Sequence, residues 1–304
     1  MKNKSENNSA INIIRALRPK QWTKNGVLLA AFIFGYWEKS QNVDLGVSLM
    51  LVIPGVMLFC LASSCIYLIN DVRDLKNDRA HPTKRYRPIA SGRVTVPAAL
   101  LTALALFIIV VVGSWILHPG FLVVVLAYLA LQIVYSFLLK QVALVDVFVI
   151  ATGFVLRAIA GAVVTNVSIS PWLLLCTFLL ALFLGLCKRR HEKIVIADSN
   201  SDQRASLDNY DTQLLNQLIA IVSSSVIVSY SIYTLWPDTV EKFGTNHLGF
   251  TIPFVMFGIF RYLDLVYRHE KGDRPEKILL TDLPLLASIL LYGVSVIIIF
   301  LLQS

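Results

Sequence analysis

The chain reads as an all-α, polytopic membrane protein of about nine transmembrane helices, and three observations predict it. Of its 304 residues 56% are hydrophobic and only 15% charged, against roughly a quarter charged in a soluble domain; mean hydropathy is +0.68. The apolar residues fall into runs, most of them near the ~20 residues a helix needs to cross a bilayer. Finally, 24 of the 27 Lys and Arg residues fall in alternate inter-span segments, the bias that marks cytoplasmic loops.

Taken in order, residues 1–10 are polar and lack the apolar core of a signal peptide, so insertion is expected to use the first span itself. Residues 11–25 are basic with an apolar stripe, which predicts a short interfacial segment with Trp22 as a headgroup-level anchor. Spans are expected at about 26–37, 45–69, 96–117, 120–139, 142–164, 171–187, 212–236, 248–267 and 280–302. The first is short unless the basic segment runs on into it. The eighth carries Arg261 and Asp264 at its inner end. Residues 1–304 form one membrane domain in this reading, with 1–25 as the cytoplasmic or interfacial lead and 26–304 as the bundle. The insert from Lys188 to Asp211 is too short to fold alone.

Charge sets the expected orientation. The basic segments 1–25, 70–95, 140, 188–211 and 261–277 would face the cytoplasm, with Lys39 and Lys242 opposite and Arg157 inside the fifth span. Because these cations flank spans rather than forming an aromatic-interleaved module, a nucleic-acid partner is not expected. The four cysteines lie in apolar runs without a C-x-x-C pair and read as core residues.

The most informative stretch runs from Tyr67 to Pro88. An apolar helix is expected to continue unbroken, up to Pro82, into a mixture of carboxylates and guanidiniums. On one helix Asp71, Asp74 and Asp78 stand at i, i+3 and i+7, with Asn70 four before Asp74, so they share a face. Carboxylates near a helix C-terminus repel one another and oppose the macrodipole. A local rule broken so plainly points to a ligand. Magnesium is held by one or two carboxylates plus substrate phosphates, and the basic residues from Arg79 to Arg87, among them Lys84, Arg85 and Arg87, would face those phosphates.

A second constellation follows two spans later. Tyr135, Ser136, Lys140 and Asp146 occupy the turn before the fifth span, and Gly153, Arg157 and Gly161 recur every four residues within it. That stripe of small residues permits close approach of a helix or a ligand. Arg157, a charge inside a span, either pairs with an acid or binds a phosphate. Lys188 with Glu192 is either a helix i, i+4 pair or part of the site. The histidines show no metal-ligand spacing, and no P-loop or dinucleotide fingerprint occurs.

Together these motifs resemble the UbiA superfamily of intramembrane prenyltransferases. Several stretches are similar to its decaprenyl-phosphate phosphoribosyltransferase branch: Arg18-Pro19-Lys20-Gln21-Trp22-x-Lys24-Asn25, Asn70-Asp71-Val72-Arg73-Asp74, His81-Pro82-Thr83-Lys84-Arg85-x-Arg87-Pro88, Tyr135-Ser136-x-x-Leu139-Lys140, and Gly153-Phe154-x-x-Arg157. The resemblance implies a UbiA-like bundle with a cytoplasm-facing site. There, magnesium on Asp71 and Asp74, with Asp78 beside them, would hold the diphosphate of phosphoribosyl diphosphate. A polyprenyl phosphate would attack ribose C1 and release pyrophosphate, in the synthesis of an arabinose donor for the cell envelope. Lys24, Asn70, Lys84, Arg85, Arg87, Tyr135, Lys140, Asp146, Arg157 and Lys188 are the implied substrate-binding residues.

The chain departs from the aromatic prenyltransferases of that superfamily, many of which carry a second Asp-rich motif. Here that position offers Lys140 and a single Asp146. Transfer of a prenyl group from a prenyl diphosphate to an aromatic ring or a glycerol phosphate is the nearer rival. A transporter or membrane scaffold is the remoter one, disfavoured because no inverted repeat is evident.

Overall fold

The computed structural model describes residues 9–38, 44–198, 210–268 and 275–303. Among them every regular element is helical. Helix α1 (Ser9–Ala16) is followed by a 3-10 stretch (Pro19–Val27) and α2 (Leu28–Tyr36). Next come α3 (Leu45–Arg73), α4 (Leu75–Ala80), α5 (Val96–Leu117), α6 (Pro119–Phe137), α7 (Val145–Thr165) and α8 (Pro171–Asp198). The chain ends in α9 (Thr212–Leu235), α10 (Pro237–Phe243), α11 (Ile252–Arg268), α12 (Pro275–Thr281) and α13 (Leu283–Leu301).

Among the described residues, eight helices are long and apolar enough to span a membrane, and they follow the expected runs closely. The protein is a multi-pass membrane protein. Nine is an approximate count because the first span is short: α2 has nine residues, but the 3-10 stretch leads into it without a gap. Lys20, Thr23, Lys24 and Asn25 keep that lead polar. Sharp starts come from side-chain caps that satisfy orphan backbone N–H groups: Asp44 accepts from Val47 N, Thr95 from Ala98 N, Asp211 from Leu214 N and Asp282 from Leu285 N.

Among the described residues, two of four apolar clusters meet on α7. One joins α2, α3, α6 and α7 through Leu28, Phe59, Phe121, Val125 and Ala160. The other joins α7, α8, α9 and α11 through Val147, Phe183, Leu215, Ile219 and Leu265. Helix α7 belongs to both, so its residues are placed from two sides. The stripe expected on α7 proves to be one of close approach: a Cβ on Gly161 would collide with the backbone carbonyl of Leu28. Backbone cannot swing aside, so Gly161→Ala is expected to cost about 1–3 kcal/mol or more as overpacking, read as a lower melting temperature in detergent. A Cβ on Gly153 would meet only side chains, Gln132 Nε2 at 3.0 Å and Arg157 Nη1 at 3.5 Å. Gly153→Ala is expected to melt close to wild type.

The expectation of one unbroken helix through the acidic stretch is corrected. The helix stops at Arg73 and restarts at Leu75, with Asp74 at the joint (φ −84°, ψ 8°). Asp74 N still bonds the Asn70 carbonyl, and Asp78 N bonds the Asp74 carbonyl. Across this joint Asp71 and Asp78 share Arg87 while Asp74 meets Lys140.

Candidate active site

At the end of the bundle where α3 gives way to α4, every carboxylate of the trio meets a cation. Asp71 is 3% exposed and pairs with Arg18 and, at 3.1 Å, with Arg87 Nη1. The same Nη1 donates to Asp78 Oδ2 at 2.6 Å, so a single nitrogen bridges two buried carboxylates. Asp74 pairs with Lys140 from the turn after α6. Arg18 reaches Asp71 because its backbone is left-handed (φ 55°), turning the chain into Pro19, and its guanidinium lies over the Tyr67 ring. The basic lead is tied down further at Ser64, whose Oγ accepts from Trp22 Nε1 at 3.0 Å and lies 2.9 Å from the Leu17 carbonyl. Trp22 is therefore a strut onto α3 rather than only an interface anchor.

Arg157 lies deeper and is 6% exposed. Its Nε donates to Asn25 Oδ1 at 2.8 Å and its Nη2 to Tyr128 Oη at 3.0 Å, with the rings of Tyr128, Phe154 and Phe59 around it. Among the described residues no carboxylate pairs with it, which answers the alternative of a structural ion pair. Tyr128 Oη also contacts Ser63 Oγ at 3.3 Å. Ser63 is eight residues before Asp71 on α3, so the guanidinium sits ~12 Å below the trio at 1.5 Å rise per residue. A buried, unneutralised guanidinium is costly in a membrane-spanning segment. Its neutral cage leaves a charge for an anion to meet.

Asp146, expected as a substrate contact, has protein partners. It is fully buried; Tyr210 Oη donates to its Oδ1 at 2.7 Å, and Arg189 Nε lies 2.7 Å from its Oδ2. Arg189, itself 3% exposed, also pairs with Glu192. One oxygen of Asp146 thus accepts a hydrogen bond and the other faces a guanidinium.

The remaining expected residues divide. Arg87 and Lys140 lie in the trio, and Asn70 stands half-buried beside it with no side-chain hydrogen bond among the described residues. Lys24 is half-buried next to Asn25. Tyr135 is half-buried within electrostatic reach of Arg189. Lys84 and Arg85 are exposed on the α4–α5 connection, where Arg85 stacks on Tyr86. Lys188, 40% exposed, takes the helix-pair alternative with Glu192 at 3.9 Å. Sequence reasoning missed Arg18, Asn25, Tyr128, Arg189 and Tyr210 as members of these networks. Arg18 and Asn25 flank the basic lead already singled out; nothing local marks Tyr128 or Tyr210.

This arrangement of spans and carboxylates can be compared with known proteins. The UbiA prenyltransferase family matches residues 27–289. The chain belongs to that family. UbiA-family relatives of high similarity are the decaprenyl-phosphate phosphoribosyltransferases of Mycolicibacterium smegmatis (35% identical over 284 residues, 90% of this chain and 88% of the relative) and Mycobacterium tuberculosis (34% over 256 residues, 83% and 84%). They place the chain in the decaprenyl-phosphate branch and make it a transferase, which sets aside the transporter or scaffold reading. The fold matches the structure of a UbiA homolog from Archaeoglobus fulgidus bound to GPP and Mg2+, with TM-score 0.70 and 18% identity over 95% of this chain and 99% of that one.

The UbiA-family trio can be tested for fit to magnesium. Among the described residues no three His, Cys, Asp or Glu side chains converge closely enough to hold a metal alone. Magnesium does not need three, since it keeps waters and takes phosphate oxygens beside one or two carboxylates. Arg87 Nη1, bonded to both Asp71 and Asp78, occupies the position of a bridging cation. The residues fit.

Proposed function

We propose that this UbiA-family transferase moves the 5-phosphoribosyl group of phosphoribosyl diphosphate to a polyprenyl phosphate, releasing pyrophosphate, with magnesium bound at the acidic trio. The observation that carries this reading is the fate of Asp146. With one oxygen bonded by Tyr210 and the other 2.7 Å from Arg189 Nε, it offers no second metal-bearing face, so the described residues present the acidic trio and a separate buried cation. Two substrates that each bring phosphate suit that layout better than one prenyl diphosphate gripped from two sides.

In this mechanism Asp71 and Asp74, with Asp78 alongside, would hold the metal, which would supply charge neutralisation for the leaving diphosphate. Arg18, Arg87 and Lys140 would turn from the carboxylates to the donor's phosphate oxygens. The C1–O bond to pyrophosphate breaks as an oxygen of the lipid phosphate bonds C1. That oxygen is already anionic at neutral pH, so no general base is needed. Arg157 anchors the lipid phosphate. The basic end of the bundle faces the cytoplasm, because Lys and Arg are retained on that side, and the product would enter cell-envelope synthesis.

The test is purified protein with magnesium and labelled phosphoribosyl diphosphate, with and without polyprenyl phosphate. Pyrophosphate release that requires both substrates is the expected result. Prenyl transfer from a prenyl diphosphate to an aromatic or glycerol phosphate acceptor, without phosphoribosyl transfer, would overturn it. Lys140→Ala is expected to lower kcat/KM by about 10–100-fold, measured as the initial rate of pyrophosphate release.

A further inference from the structure

Leu144 is the last residue before α7 and has a positive φ (66°, ψ −46°). Val145 N bonds the Ala143 carbonyl at 2.8 Å, which makes Leu144 the centre of a γ-turn. With positive φ that turn is rare and strained, and a γ-branched residue adopts it only where the surroundings impose it. The Leu144 carbonyl accepts from Val147 N and Phe148 N of α7, and its N–H is held by one side chain. Tyr210 Oη accepts from Leu144 N at 2.7 Å and donates to Asp146 Oδ1 at 2.7 Å. Tyr210 is 2% exposed, and Asp146 is locked from its other side by Arg189. Burial first, and then the neighbouring Asp146 carboxylate, push the Tyr210 hydroxyl above the ordinary phenol range, so it keeps its proton and donates it.

Four residues before this turn is Lys140, in a short 3-10 stretch (Leu139–Gln141), paired with Asp74 of the trio. The segment between α6 and α7 is thus fastened at one end by Asp74 and at the other by the Tyr210 clamp.

We propose that Tyr210 is a positioning residue for Lys140: its hydroxyl fixes the Leu144 turn and so delivers the lysine ammonium to the acidic site. This rests on the reading of that site given above, with Lys140 serving a substrate phosphate. Tyr210 acts through the backbone from Leu144 back to Lys140. Removing its hydroxyl leaves Leu144 N without its partner and lets the strained turn relax toward negative φ, which withdraws Lys140.

Tyr210→Phe tests this with a readout that needs no substrate. Purified protein is treated with an amine-acetylating reagent, and modification of Lys140 is quantified by mass spectrometry, with Lys242 at the opposite end of the bundle as the internal reference. Lys140 is expected to react severalfold faster in Tyr210→Phe, while Lys242 is unchanged. In the transfer assay, KM for phosphoribosyl diphosphate is expected to rise about tenfold with little change in kcat. Adding Leu144→Gly to Tyr210→Phe is expected to return both readouts toward wild type, because glycine holds positive φ without strain. A lower melting temperature with Lys140 reactivity unchanged would reduce Tyr210 to a fold contact and overturn the proposal, as would a glycine double variant no better than Tyr210→Phe. Altered Lys140 reactivity in a protein whose wild type transfers no phosphoribosyl group would leave the clamp standing and sink the substrate reading instead.

Discussion

Asp71→Asn is expected to lower pyrophosphate release by at least about 10²–10³-fold, the scale of losing one preorganised electrostatic partner of the reacting centre. Asparagine keeps the shape and one acceptor oxygen but not the charge. Its two cations are not abandoned: Arg87 retains Asp78 at 2.6 Å, and Arg18 retains the face of Tyr67. The cost to folding is therefore limited to about 1–3 kcal/mol, the range for a disturbed buried charged hydrogen bond. Like-charge repulsion between Asp71 and Asp78 is relieved in part exchange. Activity measured at saturating magnesium, together with a thermal melt in detergent, checks both halves. Wild-type turnover in Asp71→Asn would remove the trio from catalysis; a protein that fails to fold would make Asp71 a structural residue.

Arg157→Ala separates substrate binding from structure at the second cation. Had Arg157 been half of a buried ion pair, its loss would strand a carboxylate at a cost of about 3–5 kcal/mol. Among the described residues its partners are neutral, Asn25 and Tyr128. Truncation is thus expected to cost about 1–2 kcal/mol for two orphaned acceptors, partly offset because a desolvated charge disappears with it. Binding of polyprenyl phosphate is expected to weaken by ~10–100-fold, equivalent to the ~1.5–3 kcal/mol of a hydrogen bond to a charged group. Arg157→Lys should rescue poorly, since the amine cannot reach Asn25 Oδ1 and Tyr128 Oη in the planar two-pronged geometry and still face an anion. Lipid titration on detergent-solubilised protein measures the affinity. Large destabilisation with unchanged lipid affinity would place Arg157 in the scaffold alone.

Much of this protein was legible in the chain because a bilayer is an unforgiving solvent. A helix must satisfy its own backbone inside hydrocarbon, so apolar run length alone located the long spans, and the Asp44, Thr95, Asp211 and Asp282 caps mark sharp starts. The acidic trio was equally visible, because carboxylates beside basic residues at a span's end break a local rule. The length of the first span was not legible, since whether Pro19–Val27 runs on into Leu28–Tyr36 depends on how the lead packs against α3 through Ser64 and Asp71.

Partner choice belonged to the tertiary structure. In sequence Asp71, Asp74 and Asp78 are equivalent members of one helical face; in the fold two of them meet Arg87 and the third meets Lys140. Asp146 and Arg157 stand three turns apart on one helix and read as one constellation, yet Asp146 is neutralised by Arg189 and Tyr210 while Arg157 meets only neutral groups. Sequence spacing reports which residues share a face of one helix. It does not report which of several arginines from other helices arrives opposite them, because that is fixed by contacts such as Gly161 against Leu28, between residues far apart in the chain. What the sequence determined by itself was therefore the spans and the presence of an acidic, basic-flanked site; which carboxylate is spent on structure and which cation is left for a ligand was decided only by packing.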